Sequence, residues 1–262
     1  MSDYTTLQIQ RSAAGVVTLW LDRPEKHNAL DARMIAELVN ALRELGADEA
    51  IRFLLLRGRG KHFCAGADLA WMQASAALDY AANLKDAHEL GELMSLLYHL
   101  PFPTLAVVQG AAFGGAVGLV SCCDIAIGAE DALFSLSEVR IGLVPAVISP
   151  YVVQAIGERA TRRYALSAER FGGERARELG LLAETCPAGE LETLVQRWTG
   201  TLLQNSPQAM RAGKALLQDV GSGVLNEALR QRTESTIAGI RVSPEGQEGL
   251  NAFLEKRKPA WT

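Results

Sequence analysis

Apolar residues recur along this chain with two different spacings, and the two alternate. From Gly15, GVVTLWLDRP is β-branched and apolar until Pro24, whose ring removes a ladder donor, so it predicts a strand. Met34, Ile35, Leu38, Val39, Leu42 and Leu45 then fall three and four apart behind Asp31, which predicts an amphipathic helix capped by that aspartate. IRFLLLRGRG reads as a buried strand ending at glycine, and KHFCAGADLAWM as a turn running into a helix. A helical stretch from Tyr80 to Tyr98 stops at LPFPT, TLAVVQG supplies a continuous apolar strand, and DIAIGAEDALFSL supplies two short ones. The chain from Ser149 reads as mostly helical, and NSPQAM and VSPEGQ each set a serine at an N-cap and a proline at the first helical position.

Alternation of strand and helix argues an α/β core, and the helix-only tail from Pro207 argues a separate helical layer. We therefore expect a core over residues 1–200 and a helical region over residues 201–262. The tail carries apolar stripes, including Ile237, Ile240, Leu250 and Phe253, yet is too small to bury a core of its own. Those stripes must pack on the main domain or on another subunit, and an oligomer is expected.

Composition narrows the classes. With 48% hydrophobic and 21% charged residues, no part of the chain predicts extended disorder. A net charge of -4 with scattered basic residues lacks the footprint of a nucleic-acid binder. Cys64, Cys122, Cys123 and Cys186 have neither metal-ligand nor disulfide spacing, and reduced thiols in a cytoplasm are the simplest reading. The start MSDYTTLQIQRS lacks the pattern of a secretion signal and no apolar run is of membrane-spanning length, so a soluble cytoplasmic protein without bound metal is expected.

Two stretches carry candidate chemistry. In FCAGADL and AAFGGAVGL a strand runs through small residues into a helix, whose first-turn N–H groups lack intrahelical partners and attract an oxyanion. Two such turns meeting at one point would offer two donors to one oxygen, as enzymes do for an enolate. Tight packing alone also explains small residues at either turn. Neither is a phosphate loop, since GGAVGL is not followed by Lys-Ser or Lys-Thr, and no ribose-binding acid is evident.

RPEKHNALD, FCAGADLAWM, VVQGAAFGGAVGLVSCCDIAIG, FSLSEVRIGLVP and AFLEKRKPAW follow one another in an order and spacing that resemble the crotonase superfamily, the enoyl-CoA hydratase/isomerase family, over essentially the whole chain. The resemblance implies a crotonase-like superhelix of repeated ββα units with a C-terminal helical trimerisation region. It implies a homotrimer or a dimer of trimers. The implied ligand is an acyl-CoA thioester, with CoA part of the substrate and no separate cofactor. On matching positions the thioester oxygen would sit between the backbone N–H groups of Ala67 and Gly115, with Gly114 allowing the approach. Lys26, Ala29, Leu30, Ala65, Gly66, Asp68, Leu69, Phe253 and Lys256 match positions around the CoA.

The resemblance also exposes a departure. Family hydratases hold a water between two glutamates; the second is Glu138 here, but the first position is Gly118. A single acid still suffices for hydration if it takes a proton from water and returns it to C2, and it equally suffices to move a proton from C2 to C4 in an isomerase. Burial among Phe134, Leu136, Val139 and Ile141 would raise its pKa. Ala146 matches a position whose N–H can orient the attacking water, while Val147 and Ile148 narrow the wall. The segment around Glu138 looks most like hydratases of leucine and acyclic-terpene breakdown, which act on 3-methylglutaconyl-CoA or isohexenylglutaconyl-CoA. Arg140 would meet the distal carboxylate of such a substrate if its segment is a regular strand, or else form a surface or intersubunit salt bridge. Trp71 and Met72 line the acyl pocket or pack in the core. The four histidines have no ligand spacing, and Ser137 lacks a nucleophile elbow.

Overall fold

The computed structural model describes residues 4–262. Its first strands are β1 (Leu7–Arg11) and β2 (Val16–Leu21), followed by helix α1 (Ala32–Gly46), β3 (Phe53–Gly58), α2 (Leu69–Ser75) and α3 (Tyr80–Tyr98). There follow β4 (Thr104–Val108), β5 (Ala111–Phe113), α4 (Gly115–Cys122), β6 (Ile125–Ala129) and β7 (Leu133–Ser135). Helices α5 (Ser149–Ile156) and α6 (Glu158–Ser167) lead to β8 (Phe171–Gly172), α7 (Gly173–Glu178) and β9 (Glu184–Cys186). The chain ends in α8 (Leu191–Leu203), α9 (Pro207–Ser222), α10 (Glu227–Val242) and α11 (Pro244–Leu254).

The chain divides into two compact units, one running to Leu100 and from Thr104 to Val195, the other comprising Pro101–Pro103 and Gln196–Thr262. The first is built on a six-stranded sheet in the order β1-β2-β3-β4-β6-β9, parallel except for the β1–β2 pair. Every residue of β4 and nearly every residue of β3 is buried, as a parallel sheet covered on both faces requires. A three-stranded sheet, β5-β7-β8, stands beside it in the same unit. Helix α1 buries all six residues of the apolar stripe, and Asp31 caps it by accepting the Met34 N–H at 2.8 Å.

Sequence and structure differ at three places. Strand β1 escapes the apolar pattern because it is a polar edge strand in which only Leu7 is buried. Strands β8 and β9 are too short to carry a period within a segment read as helical. Residues Glu138–Ile141, read as extended, form a 3₁₀ turn, closed by Gly142 at φ 77° and by the Leu143 N–H donating to Glu138 O at 3.0 Å.

In the second unit the two serine-proline starts behave as read. Ser206 accepts the Ala209 N–H and Ser243 the Gly246 N–H, each at 3.0 Å. Helix α10 buries none of its residues, and Ile237, Leu250 and Phe253 are 49%, 48% and 81% exposed. Among the described residues no helix is long and apolar enough to cross a membrane, and no cluster of three metal-ligating side chains occurs.

Candidate active site

Three loops of the first unit lie edge to edge. Ala65 donates its N–H to His27 O at 3.0 Å, and Leu30 and Ala67 form a parallel bridge through Leu30 N–H to Gly66 O (2.7 Å) and Asp68 N–H to Leu30 O (2.8 Å). On the other side Cys64 bridges Ala112, donating to Ala111 O at 3.0 Å and accepting from Phe113 N at 3.2 Å. The two small-residue turns are thereby brought into contact. A Cβ placed on Gly66 would lie 3.1 Å from Phe113 O, and Gly66 has φ 99°, so glycine serves both the close approach and the backbone angle.

Both turns keep a donor free. Among the described residues no hydrogen bond within the protein uses the N–H of Ala67 or of Gly115. Ala67 is exposed and Gly115 half-buried, so neither N–H is sealed from a ligand by the residue's own burial. Gly114, at φ 52° and ψ -120°, turns the chain from β5 into α4 and donates its N–H to Ser135 O at 2.9 Å. That bond, with the β5–β7 register pairing Phe113 with Ser135, carries the following 3₁₀ turn to the mouth of α4. Glu138 is the result: a Cβ on Gly114 would lie 3.2 Å from its Oε1. Its Oε2 is buried and, among the described residues, has no hydrogen-bond partner. Burial pushes the Glu138 pKa up, with only its own backbone N–H pulling the other way.

The absence of a second acid has a structural counterpart. A Cβ on Gly118 would lie 2.3 Å from Ile148 Cγ2, 2.8 Å from Ile148 Cβ and 3.2 Å from Met94 Cε. Ile148 and Met94 are themselves buried, so an apolar wall fills the space that a side chain at 118 would take.

The other sequence-predicted residues fall into groups. Ala29 and Leu30 are buried, and Leu30 Cδ1 would be 3.1 Å from a Cβ on Gly115, so this first loop backs the α4 turn. Lys26 is exposed at the end of a 3₁₀ turn, Leu69 is 82% exposed, and Trp71 and Met72 are half-buried. Asp68 turns its carboxylate inward: Oδ1 accepts from Ala70 N at 2.9 Å and Trp71 N at 3.3 Å, and Oδ2 from Arg23 at 3.2 Å. Burial alone would raise its pKa, but these bonds outweigh it and hold the carboxyl below its ordinary range. Phe253 and Lys256 belong to the second unit, both exposed, Lys256 with φ 56°.

Three expectations need correction. The Ala146 N–H is already used, donating to Val144 O at 2.8 Å within its own turn, so it is not the open donor that the sequence suggests. Arg140 stands on a 3₁₀ turn, where strand alternation does not apply, and donates to Ala168 O at 2.9 Å; it forms no ion pair among the described residues. Ile141, expected around Glu138 as a burying residue, is 58% exposed because the same turn rolls it outward.

Sequence reasoning missed three structural side chains here. Asn28, fully buried at φ 56°, accepts from Arg23 N at 2.9 Å and donates to Arg59 O and His62 O at 2.8 and 2.9 Å. His62 Nδ1 accepts the Ala111 N–H at 3.0 Å, which assigns its proton to Nε2; burial, then the charges of His27 and Lys61, hold its pKa low. Arg23 is the third. No local signal marked them, because each holds a loop distant in sequence. Cys64, fully buried with its thiol pushed up to about 12, is an unreactive packing residue.

The family model for enoyl-CoA hydratase/isomerase matches residues 11–262. The chain belongs to that family. An enoyl-CoA hydratase of Shewanella pealeana is 49% identical, with a TM-score of 0.94 over 98% of this chain and 96% of that one. AtuE of Pseudomonas aeruginosa is 38% identical, with a TM-score of 0.94 over 98% and 99% of the two chains. The 2,3-dehydroadipyl-CoA hydratase of Escherichia coli is 29% identical over 93% of this chain and 94% of its own. Family membership gives the mixed α/β architecture its crotonase assignment.

Proposed function

We propose that this protein hydrates 2-enoyl-CoA thioesters with one carboxyl group, Glu138, and two backbone donors, the N–H groups of Ala67 and Gly115. One observation carries the reading: a half-buried carboxyl, whose Oε2 is buried and unpartnered among the described residues, sits beside Gly114, the residue before an N–H that no described protein group uses. The Glu138 carboxylate takes a proton from water as the oxygen adds to C3. Electrons move into the thioester, and the resulting enolate oxygen rests between the two N–H groups. The protonated Glu138 then delivers that proton to C2, the enolate collapses, and the carboxylate is regenerated. The product is a 3-hydroxyacyl-CoA.

The substrate we propose is branched, of the 3-methylglutaconyl or isohexenylglutaconyl type, supported by the likeness of the Glu138 segment to such hydratases. A relative named for 2,3-dehydroadipyl-CoA, another thioester with a distal carboxylate, is consistent with that class. Arg140 is exposed and engaged with Ala168 O, so the distal carboxylate is assigned no partner there. A second reading is favoured by the apolar wall at Gly118: the same acid moving a proton from C2 to C4 of a 3-enoyl thioester. We also propose self-association through the exposed positions of α10 and α11.

Absorbance separates these readings. Hydration bleaches the conjugated thioester band, whereas isomerisation of a 3-enoyl thioester raises it. We expect bleaching, with kcat/KM for 3-methylglutaconyl-CoA at least about tenfold above crotonyl-CoA, the scale a fitted pocket gains from added carbon. Because the first step needs the carboxylate and burial raises the Glu138 pKa, kcat/KM falls as pH drops through a limb above the ordinary glutamate range. A rise in absorbance from a 3-enoyl thioester with no bleaching of any 2-enoyl thioester would transfer the assignment to the isomerase.

A further inference from the structure

Arg23 stands between the first two loops of the site. Its Nη1 lies 2.8 Å from Asp31 Oδ2 and donates to Ala29 O at 2.9 Å, and its Nη2 lies 3.2 Å from Asp68 Oδ2. Each aspartate spends its other oxygen on a helix: Asp31 Oδ1 caps α1 through Met34 N, and Asp68 Oδ1 caps α2 through Ala70 N and Trp71 N. Arg23 is also held from behind, since its own N–H donates to the buried Asn28, which in turn ties to Arg59 O and His62 O. The side chains of Arg23 and Asp68 are only 15% and 11% exposed, which removes this pair from the weak surface class.

Two alternatives fit less well. An anion site for a phosphate of the ligand is disfavoured because the trio carries one positive and two negative charges. A purely helix-capping role would not need the cation, as both caps are complete without it. What the guanidinium adds is a fixed distance between two loops, in a fork geometry that matches two carboxylates and a carbonyl. Ala67, whose unpaired N–H is half of the donor pair, lies directly before Asp68 and is bridged to Leu30 beside Ala29.

We infer that Arg23 is a positioning residue for the oxyanion-binding turn: by clamping Asp31, Asp68 and the Ala29 carbonyl it fixes the Ala67 N–H, and so supports kcat rather than binding. This rests on the reading above that the Ala67 N–H receives the thioester oxygen. Arg23 itself touches no reacting atom.

Arg23→Met, which keeps the apolar stem, tests this in the full chain. The expected result is a fall in kcat of about 10- to 100-fold with KM within about twofold, because a donor displaced by a fraction of an ångström loses the transition state more than the substrate. A bound aryl-acryloyl-CoA chromophore, whose band moves to the red as its carbonyl is polarised, should show a smaller red shift than with the wild type. Hydrogen exchange of the backbone amides of residues 64–72, without ligand, should quicken by about tenfold as the loop loosens. Arg23→Lys keeps a charge without the fork and should fall between the two, which covers the case in which the methionine variant folds poorly. Wild-type kcat, wild-type red shift or unchanged exchange in a folded variant would overturn the inference. A wild type inert toward every enoyl thioester would instead remove the hydratase reading, and exchange would still decide whether Arg23 holds the loop.

Discussion

Replacing Glu138 with glutamine lowers kcat on an enoyl thioester by about 100- to 10,000-fold, the range a single general acid/base supplies, and leaves thioester binding intact. The size of the effect follows from the site having one carboxyl where a paired arrangement would have two, so that no second group takes over the proton. Glutamine keeps the shape and removes the charge, so binding measured by calorimetry separates lost chemistry from a lost site. The same variant has a stability signature of definite sign. Burial raises the Glu138 pKa in the folded chain, so ionising it costs stability as pH rises from the ordinary glutamate range through the raised value. The glutamine variant should therefore match the wild type in thermal stability at low pH and exceed it at neutral pH. Equal turnover of the two proteins would remove Glu138 from the chemistry.

Restoring an acid at Gly118 is expected to damage the protein instead of improving it. A Cβ at that position already lies 2.3 Å from Ile148 Cγ2, closer than side-chain contacts permit, before any carboxyl is added. Overpacking of this kind costs about 1–3 kcal/mol, and burying a charge against Ile148 and Met94 adds to it. Gly118→Glu should therefore melt well below the wild type and gain no activity. Gly118→Ala isolates the packing part, and pairing it with Ile148→Ala should cost less than the two single losses added together, since the methyl at 2.3 Å is then gone although the Cβ of residue 148 stays. A Gly118→Glu protein as stable as the wild type, with faster turnover, would show that Ile148 yields readily and that the apolar wall is no barrier to a second acid.

How much of this was legible in the sequence depends on the range of the interaction concerned. Strands β2, β3 and β4 and helix α1 were readable because their signal is local, apolar runs in the strands and a helical period in α1, and Asp31, Ser206 and Ser243 because a cap is a contact within one turn. Strand β1 was not, since an edge strand with one buried residue has no period to read. The 3₁₀ turn at Glu138 depends on Gly142 and on pairing between β5 and β7, neither of which shows in the apolar run that surrounds it. At the site, the small residues around Ala67 and Gly115 were visible as two turns, and their meeting came only with the resemblance in motif order. Arg23 and Asn28 act across loops far apart in sequence, so nothing local marked them. Ala146 failed as an open donor for a reason equally hidden: its N–H closes on Val144 within its own turn.

Where a bound thioester places its carbonyl decides whether the Ala67 and Gly115 N–H groups form one oxyanion site. A crystal structure of the Glu138→Gln variant with an enoyl-CoA tests this directly. The expected result is a thioester oxygen at about 3 Å from both the Ala67 and the Gly115 nitrogen, with the side chain of residue 138 facing C2. An oxygen bonded elsewhere, or an amide side chain turned away from the acyl group, would contradict it.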